Sequence, residues 1–266
     1  MDGVLDLTAK EFFTLRTYLI LLFGDIPPIS KLMMMKGHNG YSPCRYCEIK
    51  GMHNLGEKVN NVPLHCKEGA YNPHTLWYQD HHHFIRQAQK VIAADTVTES
   101  DRLLWKYGIK GLPGLFLLGS VKFPTSFLFD FMHLIFKNLI PNLIQHYTGD
   151  FKGLDAGTKF YELLKGVWEE IGDATAQSGD TIPSDFGACI PNIHTERSNM
   201  MAETWSIWIL YLGPTLLRDR FSKLVYYEHF VKLSCLVQLC MSHEMQWLDI
   251  VLIRDGFAEW VQEYEE

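Results

Sequence analysis

The chain has 266 residues, of which 47% are hydrophobic and 13% aromatic, and this composition excludes a mainly disordered protein. Its 24 basic and 31 acidic residues give a formal net charge of −7. That charge excludes a protein that grips DNA along its whole surface, because phosphate neutralisation needs clustered Lys and Arg. The N-terminus carries Asp2 and Asp6 where a secretion signal would be basic, and no apolar stretch reaches the roughly 20 residues that span a bilayer. We therefore expect an intracellular protein in a reducing compartment, with no membrane contact.

The first predicted element is a β-strand at residues 15–23, which are nearly all apolar. Such a run is typical of a central strand that is covered on both faces. The strand is expected to end at Gly24, and Ser30 is expected to cap a short helix that Gly37 closes. Asp25 therefore leaves a buried strand at its carboxyl end, where metal-dependent phosphoryl-transfer sites keep a ligand.

Residues 38–83 are rich in Gly, Asn, Pro and His and show no regular apolar period. A segment of about 45 such residues rarely sits in a compact domain without an added tether, so a metal is expected here. Cys44 and Cys47 form a Cys-x-x-Cys pair, which supplies half of a tetrahedral zinc site. The sequence leaves the other ligands open among His53, His65, Cys66, His74 and the run His81-His82-His83.

After residue 83 the apolar residues recur at helical spacing, so the chain is predicted to be an α/β protein that is mostly helical. The predicted helical regions are 84–107 (two helices), 124–147 with a kink at Pro141, 161–176, 196–212, 214–241 with a break near Phe221, and 247–264.

Three blocks of sequence are specific enough to indicate a family. They are YLILLFGDIPPISKLMMMKGHNGYSPCRYC at 18–47, FPTSFLFDFMHLIFKNLIPNL at 123–143 and AETWSIWILYLGPTLLRDRF at 202–221. Together they resemble the Tnp2-type transposases of CACTA (En/Spm) elements, particularly their fungal branch. The resemblance runs from about Leu7 to the C-terminus and covers an internal and C-terminal portion of the family's catalytic region.

The resemblance implies an RNase H-like core that cuts and joins DNA at transposon ends with Mg²⁺ or Mn²⁺. Asp25 matches the second acid of the family's D-D-E triad, and Glu203 lies where the resembling segment carries an acid. Such chemistry needs acids that hold two cations about 4 Å apart. For the third acid, Glu196, Glu228 and Glu244 compete with Glu203.

The resemblance also implies a zinc-stabilised insertion, with His81 as the third ligand after Cys44 and Cys47. It divides the chain into a partial RNase H-like core at 1–37, the Cys/His-rich insertion at 38–83, and a helical region at 84–266. It further implies transposon-end DNA as the partner, self-association, and a nuclear location.

Each of these residues also has an ordinary structural explanation. Asp25 can be a turn-capping residue before a Pro pair, and Glu203 can be a helix-start carboxylate that complements the helix dipole. A histidine run such as that of His81 can be solvated surface. Asp130 and His133 match a D-x-x-H motif of the family, and on a helix they share a face, so we expect them to support the site rather than to catalyse.

The family's first catalytic Asp lies on the first core strand, upstream of the segment that aligns here. Neither Asp2 nor Asp6 follows a strand-like apolar run, so neither is expected to replace it. The sequence therefore predicts a transposase-derived protein that does not cut DNA alone. The alternative is a non-catalytic, zinc-containing helical module that binds protein or nucleic acid.

Overall fold

The computed structural model of the protein describes residues 4–14, 16–37, 40–53, 60–61, 64–66, 69–151, 160–183 and 189–265. It is an α/β structure and mostly helical, which confirms the predicted coarse class. Contacts divide the chain into two compact units. Unit 1 contains residues 1–62 and 77–129, and unit 2 contains residues 63–76 and 130–266. Each unit therefore takes in sequence from more than one of the predicted segments 1–37, 38–83 and 84–266.

The strands are short and form two-stranded pairs. They are β1 (Val4–Asp6), β2 (Glu11–Phe13), β3 (Leu22–Gly24), β4 (Met52–His53), β5 (Asn60–Asn61), β6 (His65–Cys66), β7 (Gly69–Ala70) and β8 (Phe127–Phe129). The β1–β2, β4–β5 and β6–β7 pairs are antiparallel, whereas β3 and β8 are parallel. In that parallel pair Leu22 lies opposite Phe127 and Gly24 opposite Phe129.

The α-helices are α1 (Ile26–Leu32), α2 (His81–Ile92), α3 (Val97–Tyr107), α4 (Ile140–Tyr147), α5 (Lys165–Gln177), α6 (Ala202–Ile207), α7 (Gly213–Leu216), α8 (Leu224–Cys240) and α9 (Trp247–Glu265). A π-helical segment, Met132–Leu139, runs directly into α4, and a second one, Trp208–Leu212, joins α6 to α7. None of the described helices combines the length and the apolar character that a bilayer crossing requires.

The structure corrects two expectations about the first elements. Residues 22–24 alone form the predicted strand, and Phe23 is 77% exposed, so this strand is not covered on both faces. The following helix begins at Ile26, before Ser30. The Asp25 side chain caps this helix, because it accepts a hydrogen bond from the Ile26 N–H group at 2.7 Å. The Pro pair fits the first turn of this helix, where no amide donor is needed, instead of preceding it.

A third correction concerns the predicted helix at 124–147. Residues 127–129 form strand β8, and the helix starts beyond them. Pro141 lies in the first turn of α4, immediately after the π-helical segment. The apolar run FLF is too short for periodicity to separate a strand from a buried helix.

Each unit has its own apolar core. In unit 1, α1, α2 and the residues around β8 bury Met33, Phe84, Phe123 and Phe127. Phe84 and Phe123 stack in this core, with ring centroids 5.2 Å apart. In unit 2, the larger cluster is built around Trp208, Phe230 and the apolar faces of α4, α5 and α8.

Candidate functional site

Asp25 lies at the carboxyl end of β3 and is half-buried. Its Oδ1 accepts a hydrogen bond from the Ile26 N–H group, and this helix cap fixes the carboxylate at the end of the strand. The same arrangement recurs after β8. Asp130 is the next residue there, and its Oδ1 accepts the His133 N–H bond at 3.2 Å. Because Gly24 lies opposite Phe129, both strands end at one edge of the pair, and an aspartate follows each of them.

The Asp130–His133 pair has the geometry that the D-x-x-H spacing predicts. Asp130 Oδ2 lies 2.8 Å from His133 Nδ1, and this hydrogen bond lowers the pKa of Asp130. The carboxylate therefore stays ionised over the whole neutral range. The pair is partly buried, and its two side chains satisfy each other's hydrogen bonds, as expected of residues that support a site.

Glu203 occupies the first turn of α6 in unit 2 and is exposed. Its position suits the helix dipole, which was the ordinary explanation for it. Asp25 belongs to unit 1. Among the side chains that the structure describes, no group of three or more His, Cys, Asp or Glu residues is placed to hold a metal ion.

Asp6 is the last residue of the three-residue strand β1. Its carboxylate accepts the N–H bonds of Thr8 and Ala9, and these bonds lower its pKa. It therefore organises the β1–β2 turn.

The Cys44/Cys47 pair is organised as a thiolate-bearing turn. Cys44 Sγ accepts the N–H bonds of Tyr46 at 3.4 Å and Cys47 at 3.3 Å. A hydrogen bond from the Cys47 thiol, together with these amides, lowers the pKa of Cys44 to about 6, although burial opposes the shift. The same hydrogen bond, with burial, raises the pKa of the Cys47 thiol. The spacing thus brings both sulfurs together, with one of them ionised at neutral pH.

The two residues between the cysteines attach this turn to β8. Arg45, only 4% exposed, donates through Nη2 to the Leu128 carbonyl at 2.9 Å, and its guanidinium lies 4.2 Å from the centre of the Phe129 ring. The Tyr46 hydroxyl donates to the Phe127 carbonyl at 2.8 Å. Sequence reasoning missed both residues. Their identity gave no signal, because Arg is mostly exposed in proteins and both contacts are with residues more than 80 positions away.

His81 is the first residue of α2, and its Nδ1 accepts a hydrogen bond from the Phe123 N–H group at 3.0 Å. In the neutral ring the proton is then on Nε2, so this bond occupies the nitrogen that would otherwise be open to a metal. Burial lowers the pKa of His81. His83 Nδ1 lies 2.9 Å from Glu48 Oε1, at ion-pair distance. The side chains of three other proposed ligands lie outside those that the structure describes: His53, His65 and Cys66.

Comparisons with family models, curated proteins and solved structures found no match for this chain.

Proposed function

We propose that this chain derives from a Tnp2-type CACTA transposase. The ancestral activity is metal-dependent DNA cleavage and strand transfer at transposon ends, carried by an RNase H-like core that works in the nucleus. The observation that supports this proposal most directly is the parallel, in-register β3–β8 pair with an aspartate after each strand. The carboxyl edge of parallel strands is where α/β proteins bind their ligands.

In this proposal Asp25 is a ligand for Mg²⁺ or Mn²⁺, and Glu203 is the late acid of the triad. The cap bond to Ile26 uses Oδ1, and a carboxylate has a second oxygen with which to bind a hard cation. When bound, the metal pair would activate the attacking oxygen and stabilise the leaving one. We propose that the chain does not cleave DNA alone, because no residue of this sequence aligns with the family's first catalytic Asp.

A cavity in unit 2 with basic residues in its lining is compatible with contact to a nucleic-acid backbone. A cavity of about 500 Å³ is lined by Lys137, His194, Arg197 and the hydroxyl residues beside them, and no carboxylate is among its described lining residues. Arg197 lies 3.9 Å from Asp150 and His194 lies 3.9 Å from Glu169, so a phosphate would compete with these two carboxylates for the basic side chains. A localised basic cavity suits a chain whose net charge excludes a broad basic surface.

We propose Cys44 and Cys47 as two ligands of a structural Zn²⁺. The ionised Cys44 sulfur and the tight turn fit the chemistry of such a site, since zinc binds thiolates. His81 remains in the proposal only through Nε2, and its proton would then have to move to Nδ1, which would break the hydrogen bond from the Phe123 N–H group.

The second candidate function is a non-catalytic, zinc-containing helical module that binds protein or nucleic acid. One observation favours it: the cap bond to Ile26 already gives the Asp25 carboxylate a complete structural role.

Divalent-metal binding separates the two candidates. Asp25→Asn removes the charge but keeps a good helix cap, because Asn caps as well as Asp. Asp80→Asn is the matched control, since Asp80 caps α2 through the His83 N–H bond in the same unit. We expect Mn²⁺ binding, followed by electron paramagnetic resonance, to fall about tenfold or more in Asp25→Asn and to be unchanged in Asp80→Asn.

Equal Mn²⁺ binding in both variants, or no Mn²⁺ binding at all, would favour the non-catalytic module. Elemental analysis of the same samples tests the zinc site separately. We expect about one zinc per chain, lost on Cys44→Ser and kept on Cys240→Ser, and a zinc-free parent protein would contradict the zinc proposal for both candidates.

A further inference from the structure

Unit 2 contains a cavity of about 570 Å³ that neither the metal nor the DNA proposal uses. It lies between α4, the start of α8 and the end of α9, and most of its lining is aromatic. The volume falls within the roughly 300–1,000 Å³ that small-molecule sites occupy. The aromatic lining includes the rings of His146, Tyr147, Tyr161, Tyr226 and Tyr264.

Successive rings of this lining stand at right angles to one another. Tyr226 meets Tyr161 at 77°, Tyr161 meets His146 at 77°, and His146 meets Tyr264 at 79°. The centroid separations in this series are 6.0, 6.4 and 5.8 Å. The cavity is therefore lined by aromatic rings in several orientations, and such rings attract organic cations.

The charge of the cavity is negative. Glu263 and Glu265 line it, and its described lining contains no Lys or Arg. Burial lowers the pKa of His229, so this lining imidazole is neutral near pH 7. Lys232 contacts Glu263 from outside the lining at 2.7 Å, and it also holds Glu259 at 3.0 Å. The carboxylates around this lysine therefore outnumber its single positive charge.

The Tyr147 hydroxyl adds an unsatisfied group to the same cavity. Tyr147 is 3% exposed, and its hydroxyl has no hydrogen-bond partner in the described part of the chain. Burial raises its pKa, so the hydroxyl stays protonated and remains a donor. A buried donor without a partner is costly, which favours a ligand that brings an oxygen acceptor.

We propose that this cavity binds an organic ammonium cation that carries an oxygen atom. Ring faces attract a quaternary or alkylated ammonium group through their quadrupoles, and two carboxylates add to that attraction. The same carboxylates repel phosphates, so a nucleotide is a poor fit despite the aromatic lining. The site is independent of Asp25 and of the cysteines.

Choline is a suitable probe, and its matched control is the dimethylbutanol in which carbon replaces the nitrogen. The two molecules have the same shape and hydroxyl group and differ in charge. We expect calorimetry or ligand-observed NMR to show choline binding at least about tenfold more tightly than the neutral analogue. Equal binding of the two, or no choline binding, would overturn the proposal.

Two pairs of variants test the lining. Glu263→Gln should weaken choline binding about threefold or more and Glu259→Gln should weaken it less, because both residues contact Lys232 but only Glu263 lines the cavity. Tyr226→Leu should abolish binding, and Tyr226→Phe, which keeps the ring, should retain it. If Tyr226→Leu fails to fold, the glutamate pair still decides, since equal effects of its two members would contradict the proposed site.

Discussion

Cys44 and Cys47 differ in chemistry although they share one turn. Cys44 Sγ accepts hydrogen bonds from two backbone N–H groups and from the Cys47 thiol. Cys47 is buried and stays protonated, because its thiol is the donor of that shared hydrogen bond. Donors that point at one sulfur favour its ionised form. The pair therefore loses its first proton well below the ordinary thiol range and keeps the second far above it.

The pH profile of alkylation measures this asymmetry. In metal-free protein, we expect the rate at which iodoacetamide modifies Cys44 to rise through about pH 6 and to level off above it, because the thiolate is the nucleophile. Cys47→Ala removes the thiol donor, so the midpoint should move to higher pH. Peptide mass spectrometry resolves the sites, and the exposed Cys235 provides an internal reference in each sample. A midpoint that is the same in Cys47→Ala and the parent would contradict the shared proton.

The segment that leads into the Cys-x-x-Cys turn contacts the end of α3. The Ser42 hydroxyl donates to the Lys106 carbonyl at 2.7 Å, and the Lys36 N–H donates to the Gly108 carbonyl at 2.8 Å. Gly108 ends α3 in the left-handed conformation, with φ of 69°. A Cβ at this position would collide with the Ser42 carbonyl oxygen, which is backbone and cannot turn away.

Gly108→Ala should therefore lower the free energy of unfolding by about 2 kcal/mol or more, since it adds left-handed strain to a backbone clash. Gly119→Ala is the matched control, because a Cβ there meets no atom within 4 Å. Urea unfolding at neutral pH, followed by circular dichroism, gives both values. Equal stability of the two variants would show that the Ser42 carbonyl does not lie against the end of α3.

The elements that the sequence predicts well are those specified locally. The apolar periods locate α8 and α9 and the break near Phe221, and the C-x-x-C spacing alone indicates that Cys44 and Cys47 meet. The pairing of β3 with β8 and the contacts of Arg45 and Tyr46 with β8 join residues more than 80 positions apart. No local pattern encodes such pairings. The Asp25 cap was predictable in principle, because an Asp two residues before a Pro pair is a helix-start signal.

Among the residues that the structure describes, the apolar side chains along and just before β3 have no evident cover. Tyr18, Ile20 and Phe23 are 67%, 64% and 77% exposed, along and just before β3. Among the described residues, β8 is the one strand paired with β3. An apolar strand with an open edge is a template for association with another chain, and the run at 15–23 has the composition of a strand meant to be covered.

We therefore expect the protein to self-associate through residues 15–23, and we expect charged substitutions in this segment to weaken the association. The double variant Ile20→Lys, Phe23→Lys changes the net charge from −7 to −5. Val97→Lys, Leu117→Lys makes the same change at residues of the same unit that are 80% and 84% exposed. Sedimentation velocity over a range of concentrations should show a shift toward monomer in the first variant and not in the second. Lysines at a strand edge block pairing with another strand, whereas the change in net charge is the same in both variants. If both variants shift alike, general repulsion explains the effect, and a parent protein that is monomeric at every concentration would show that β3 is not an association surface.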